Sequence, residues 1–305
     1  MAAKAAGFEQ CEICGGGDWS VAYEGRIRDG AVGRFKEGAR VAECNGCGVQ
    51  RLDEAFCIPP EYYETAEYRK TLHQSIESEK ALAEQDWTNR YTHDALLPQT
   101  VRGKVIADVG CGIGSFLDSC RGQAKSLIAI DPCEPYWASL EARGYEKFGT
   151  TEEAASKAGG VADLAVSIQV IEHVEKPVEF LRSILPLLKR ASGELMITTP
   201  NRGDILMKLL PGVYPPFFYR TAHRWYFDMP SLIECARRAG YQISGSRFLQ
   251  KYGLANTMRW LRDGKPAGFS PLEGIGPAAD GFWKGYLEQN GSGDTLCLKL
   301  RPAAN

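Results

Sequence analysis

The sequence of 305 residues predicts an α/β chain: a doubly wound parallel sheet with helices on both faces, led by a small N-terminal zinc ribbon. Three observations predict it. Short apolar runs rich in β-branched residues, Val105 to Val109, Leu127 to Ile130 and Asp163 to Ile168, alternate with helical stretches, as buried parallel strands do. The first run leads straight into alternating glycines, Gly110, Gly112 and Gly114. Two Cys-x-x-Cys turns precede them all.

Composition bounds the reading. Hydrophobic content of 44% suits a globular chain with a sizeable core, and a formal net charge of -2 gives no long-range pull toward a polyanion. Nucleic acid is therefore disfavoured as a partner. Residues 1–8 hold no apolar leader, and no run approaches the roughly 18 apolar residues of a membrane span. The expectation is a cytoplasmic protein without a membrane partner, whose ten cysteines stay reduced.

Residues 1–58 read as the ribbon. Cys11, Cys14, Cys44 and Cys47 form two knuckles with 29 residues between Cys14 and Cys44, and four thiolates in this spacing suit a tetrahedral Zn²⁺. Ser20 to Gly25 and Arg34 to Cys44 alternate around turns at Asp29-Gly30 and Glu37-Gly38, as hairpins between knuckles would. Four cysteines leave no open coordination position, so the expected role is structural; a pair of redox dithiols is the alternative. Arg26, Arg28, Arg34, Lys36 and Arg40 are offset by Glu24, Asp29, Glu37 and Glu43, a weak nucleic-acid footprint. The other six cysteines lack ligand spacing and read as core thiols. Pro59-Pro60 then marks a boundary, and 59–103 reads as a helical linker with helix from Glu61 to Leu97. His73 and His93 read as surface or packing residues.

The glycines carry the chemistry. Gly110, Gly112 and Gly114 let the backbone turn sharply and approach a ligand closely. Asp131 ends the next strand about 20 residues on, where an acid can take ribose hydroxyls. A dinucleotide fingerprint needs glycine at position 115, which is Ser115; the pattern is Gly-x-Gly-x-Gly.

With Asp108 ahead of it, this stretch resembles motif I of the class I S-adenosylmethionine (SAM) methyltransferases. The resemblance implies that Asp108, Gly110, Gly112 and Gly114 hold the methionine end of SAM and Asp131 the ribose, with Cys111, Pro132 and Gln169 beside them in the cofactor site. It also implies a Rossmann-like sheet of seven strands over 104–305, only the last antiparallel, and makes Tyr68 and Arg69 candidates for a lid over the cofactor. Many relatives carry an acid after strand three for adenine; Thr150 and Thr151 stand there instead.

The segment Gln169-Val170-Ile171-Glu172-His173-Val174 resembles motif IV of small-molecule methyltransferases, especially the Glu-His-Val of the ubiquinone-biosynthesis O-methyltransferases. No Asn-Pro-Pro-Tyr of base-directed N-methyltransferases is present. In those ubiquinone-pathway relatives the Glu-His region can bind a divalent metal, but no further acidic ligands can be placed from the sequence, and no catalytic metal is expected. Helix Pro177 to Lys189 carries Pro186, which should kink or shorten it.

Residues 202–228 occupy the place of a substrate-facing lid and concentrate Tyr214, Phe217, Phe218, Tyr219, Arg220, His223, Arg224, Trp225 and Tyr226. Aromatics beside arginines suit a flat ring with phosphates, such as a nucleotide-sugar, and equally suit packing. Met229 to Gly240 and Tyr241 to Phe248 read as a helix and strand six, and 250–290 as a partly helical insertion before a strand at Thr295 to Leu300.

Methyl transfer to a hydroxyl needs a base near neutral pH. His223 is the first candidate, and His173 beside Glu172 the second. A ribbon ahead of a SAM domain also resembles deoxysugar C-methyltransferases, but the C-terminal part is too short for them. The expected activity is O-methylation of a small molecule, a sugar or nucleotide-linked sugar of polysaccharide or natural-product biosynthesis. Deoxysugar C-methylation, nucleic-acid methylation and a non-catalytic SAM-binding regulator are the alternatives.

Overall fold

A computed structural model of the chain describes residues 7–65 and 101–303, with residues 5, 67, 70, 80 and 92–94. The helix expected from Glu61 falls largely outside these residues, which show one turn at Glu61–Glu64. Tyr68, Arg69 and His73 also lie outside them.

Two sheets build the fold. The first begins with β1 (Trp19–Arg28), β2 (Phe35–Cys44) and β3 (Gln50–Leu52), all antiparallel. The second takes β4 (Val105–Val109), β5 (Ser126–Ile130), β6 (Glu146–Phe148), β7 (Leu164–Ile168) and β8 (Glu194–Pro200). A two-residue strand, β9 (Trp225–Tyr226), then returns to the first sheet and pairs with β3. Last come β10 (Tyr241–Leu249) and β11 (Thr295–Pro302).

The order of the large sheet is β10-β11-β8-β7-β4-β5-β6, with β11 antiparallel to both neighbours and the other adjacent pairs parallel. Central strands bury both faces, so β4, β7 and β8 are buried almost throughout, whereas the edge strand β10 alternates buried and exposed positions. The sheet order reverses at β4, and ligands in such sheets sit outside the carboxyl ends of the strands at that point.

Helices over the sheet follow local signals. Asp228 caps Met229–Arg238 by accepting from Ser231 N–H at 3.0 Å, while Ser231 Oγ accepts from Asp228 N–H at 3.1 Å, a reciprocal cap worth about 1 kcal/mol. The helix from Pro177 stops at Ile184 and tightens into a 3₁₀ turn, Leu185–Leu187: Pro186 has no N–H to continue the ladder.

The ribbon shares its core with the rest of the chain. Cys11, Ile13, Trp19 and Val49 pack in one cluster with Trp225, Phe227, Leu232 and Cys235. Ile27, Val41 and Leu52 pack with Tyr214, Phe218, Tyr219 and Tyr226. Full burial contributes about 2 kcal/mol for a side chain such as Leu52. Arg202 reinforces the junction, donating to Glu43 of β2 at 3.0 Å and to Asp228 at 2.5 Å.

Candidate active site

The carboxyl ends of β4, β5 and β7 open into a cavity of about 710 Å³, within the range that holds a nucleoside and a small partner. Asp108, Gly110, Cys111, Gly112, Asp131, Pro132, Gln169, Glu172, His173 and His223 all line it. Gly114 does not; with φ of 86° it caps the helix Ser115–Cys120, and a Cβ there would come within 2.8 Å of Leu140.

The glycine loop is built for close approach. Gly110 and Gly112 hold φ of 79° and 55°, and a Cβ on Gly110 would lie 2.4 Å from Val170 Cγ2. Gly112 N–H donates to Asp131 Oδ2 at 2.7 Å and Cys133 N–H to Oδ1 at 2.9 Å, which fixes the carboxylate at the tip of β5. Asp108 is buried near the tip of β4, and its carboxyl takes no hydrogen bond from the described residues. Burial, with Asp131 nearby, pushes its carboxyl up to about 8, so a cationic ligand here would meet an acid ready to ionise.

Gly149, Thr150 and Thr151 line the far end. Thr150 Oγ1 caps the helix Thr151–Ala158 by accepting from Glu153 N–H, and Thr151 Oγ1 donates to Ser183 Oγ at 2.7 Å. Their hydroxyls therefore hold the helix in place. Gln169, just past β7, is the non-glycine residue with positive φ among those described, at 58°.

Opposite the glycines, Glu172, His173 and His223 converge, with one ligand atom from each within 4.8 Å of the others. Glu172 Oε2 accepts from Thr199 Oγ1 at 2.9 Å, but Oε1 is buried with no hydrogen-bond partner. Burial pushes this carboxyl up to about 7. His173 Nδ1 donates to the Ala222 carbonyl at 2.6 Å and lies 3.0 Å from the Tyr63 hydroxyl, which leaves Nε2 as the basic nitrogen. That nitrogen is 3.8 Å from Glu172 Oε1.

His223 stacks edge-on against His173 with ring centroids 4.8 Å apart. Its imidazole makes no hydrogen bond among the described residues, and burial, then Arg220 and His173, hold it well below the usual histidine range. The imidazole therefore stays neutral near pH 7. Residues 219–226 hang on the ribbon: Leu52 N–H donates to the Arg224 carbonyl at 2.9 Å and Ile58 N–H to that of Thr221 at 3.1 Å.

The aromatics expected around a substrate point elsewhere. Tyr214, Phe217, Phe218, Tyr219 and Tyr226 pack against one another, against Trp260 and against β1 to β3, and from residues 202–228 only Arg220 and His223 line the cavity. Sequence reasoning missed Lys251, which enters from the turn after β10; Tyr63 also lines the cavity, against His173. His93 packs edge-on to Phe116 at the cavity wall.

At the other end of the ribbon, all four knuckle sulfurs lie within 4.8 Å of one another, with Cys14 and Cys44 3.5 Å apart and Cys11 and Cys47 3.8 Å apart. A zinc ion about 2.3 Å from each sulfur would set them about 3.8 Å apart, so the donor set fits. Both knuckles turn the same way, Gly15 and Gly48 donating to the carbonyls of Cys11 and Cys44 at 2.8 Å.

A family model described as a methyltransferase domain matches residues 82–244, more than half of the chain. The chain belongs to the SAM-dependent methyltransferases of class I. This methyltransferase is 28% identical over 120 residues to a ubiquinone biosynthesis O-methyltransferase of Caulobacter vibrioides, covering 37% of this chain and 47% of the relative. It is 29% identical over 125 residues to a tRNA U34 carboxymethyltransferase of Pseudoalteromonas translucida, covering 37% of this chain and 38% of that one. The match thus spans less than half the length of either relative. Among solved structures, a chain of the complex between the Haloferax volcanii Trm112 methyltransferase activator and a methyltransferase shares the fold with a TM-score of 0.50 and 13% identity, over 75% of this chain and 95% of that one. Among the described residues, no helix of this methyltransferase is long and apolar enough to cross a membrane.

Proposed function

We propose that this methyltransferase methylates a hydroxyl of a small molecule, with His223 as base. One observation carries the reading: a neutral imidazole without a hydrogen-bond partner shares a cavity with the glycine loop and Asp131. SAM, when bound, supplies an activated methyl group. Asp108, Gly110, Cys111, Gly112, Asp131, Pro132 and Gln169 would hold it, and Gly114 supports the loop from behind.

The acceptor hydroxyl meets His223, which takes its proton as the oxygen becomes a nucleophile. His173, held through Nδ1 by the Ala222 carbonyl, orients His223 edge-on, and Glu172 shapes the loop after β7 through Thr199. Burial of Glu172 and His223, with His173 half-buried beside them, excludes water that would compete for the methyl group.

The acceptor is a small molecule. A sugar or nucleotide-linked sugar is one instance, but the aromatics that favoured a nucleotide pack into the core, and the relatives named for their reactions concern ubiquinone biosynthesis and tRNA. A structural zinc ion on Cys11, Cys14, Cys44 and Cys47 completes the reading, supported by the spacing of the sulfurs.

The test is calorimetry with S-adenosylhomocysteine followed by transfer of labelled methyl from SAM to a panel of catechols and sugars. Cofactor binding with label recovered as an ether is expected. Label recovered on carbon or nitrogen, and none on oxygen, would remove the O-methylation reading.

A further inference from the structure

Arginines inside this fold are generally paired. Arg202 bridges Glu43 and Asp228, Arg224 bridges Glu54 and Glu175, and Arg51 bridges Glu12 and Glu54. Two cations that line the cavity depart from this. Arg220 makes no ion pair or side-chain hydrogen bond among the described residues; its Nε is buried without a partner, as are those of Arg51, Arg202 and Arg224, but unlike theirs its terminal nitrogens meet no carboxylate there. Lys251 makes no ion pair either; its ammonium lies over Tyr252 and Phe269, at 5.4 and 6.0 Å from the ring centroids.

Both are held at the backbone, and neither head meets a carboxylate among the described residues. Tyr226 Oη accepts from Arg220 N–H at 2.9 Å and donates to its carbonyl at 3.0 Å, while Lys251 N–H donates to Asp294 Oδ2 at 2.9 Å. Glu172 accepts from Thr199 through one oxygen only, Asp294 accepts from Lys251 N–H and the Thr295 hydroxyl, and neither forms an ion pair with Arg220 or Lys251 among the described residues. Burial raises both carboxyls, which weakens them as counter-ions. Burial also pushes the Lys251 ammonium below the usual lysine range, an electrostatic cost that an incoming anion would offset.

We infer that Arg220 and Lys251 form an oxyanion subsite in the acceptor half of the cavity, and that the acceptor carries a carboxylate or phosphate group beside the hydroxyl to be methylated. This rests on the proposed O-methylation at the same cavity. Two cations from different segments, one a planar fork and one a point charge, clamp an oxyanion while His223, three residues from Arg220, faces the neighbouring hydroxyl. The clamp would fix the hydroxyl's position rather than activate it.

Benzoate, phenyl phosphate and neutral benzamide serve as probes, titrated by ligand-observed NMR against the full chain, both ligand-free and saturated with S-adenosylhomocysteine. At least one anion is expected to bind about tenfold tighter than benzamide, with Arg220→Gln and Lys251→Gln each removing about tenfold. Phenyl phosphate ahead of benzoate assigns a phosphate, and the reverse order a carboxylate. Unchanged S-adenosylhomocysteine affinity in the variants shows that the fold is intact. Anions no better than benzamide on the parent protein, or anion binding that survives both substitutions, would overturn the inference. Failure of folded protein to bind S-adenosylhomocysteine would instead remove the methyltransferase reading of the cavity, since the ligand-free titration still reads the subsite.

Discussion

Thr221 N–H donates to the Arg28 carbonyl at 3.0 Å, so the end of a ribbon strand fixes the backbone two residues from His223. The pairing is reciprocal. Arg28 N–H donates to the Tyr219 carbonyl at 3.0 Å, and the Thr221 hydroxyl to Asp29 Oδ1 at 2.9 Å. Through these bonds the cysteine knuckles and the loop carrying His223 belong to one mechanical unit.

Loss of the metal should therefore be felt in the chemical step. Purified protein is expected to carry one zinc per chain by emission spectrometry. Chelation, or Cys14→Ser, should slow single-turnover methyl transfer more than about tenfold and leave S-adenosylhomocysteine affinity within about threefold, because the cofactor half is built on the other sheet. Equal loss of both would show that the ribbon supports the whole fold and does not position the base in particular.

Asp131 is held by two backbone amides, and its replacement should weaken cofactor binding without unfolding the chain. Asp131→Asn should bind S-adenosylhomocysteine about tenfold more weakly and Asp131→Ala up to about a hundredfold, by calorimetry. Parental affinity in the alanine variant would place the ribose elsewhere.

His223 sits below the usual histidine range, so its imidazole stays deprotonated through neutral pH. The single-turnover rate should not show a base titrating near 6.5; a loss assigned to His223 should come only at lower pH. His223→Gln should lower the rate by about a hundredfold or more with cofactor affinity kept. A variant within about threefold of the parent would pass the role to His173.

Glu172 is a carboxyl raised by burial to about 7, so the folded chain keeps a proton that the unfolded chain releases above about 4.5. Its contribution to stability is complete below the ordinary carboxyl range and is lost as pH climbs toward and through 7. Asp108, raised to about 8, acts in the same direction over a wider window. Urea unfolding of ligand-free protein should therefore show stability falling between pH 5 and 7, with Glu172→Gln removing about 1.4 kcal/mol per pH unit of that slope. An unchanged slope in the variant would mean that Glu172 is ionised in the fold.

Much of the large sheet was legible because its signals are local. Apolar runs give β4, β5 and β7, the glycines after β4 mark the bend, and Pro186 ends a helix where its missing N–H requires. The site was half legible. His223 and Glu172 lie about 50 residues apart in sequence, and each stood out through its neighbours. Their convergence depends on β9 crossing to β3, a two-residue pairing too short for any periodicity to announce. Lys251 follows an edge strand and has no motif around it. The aromatic segment misled for a physical reason: clustered rings serve a core and a ligand equally, and here Trp260 and the ribbon take them up.

Gln169 keeps a left-handed backbone at the cavity rim, a conformation that costs an ordinary residue about 1 kcal/mol or more. Glycine would relieve that strain, and asparagine would lessen it. Evolution in the laboratory for heat resistance alone should drift to one of those two codons, whereas selection for turnover should retain glutamine, and the separation of the two lineages at this position would measure how much durability the enzyme gives up for its reaction.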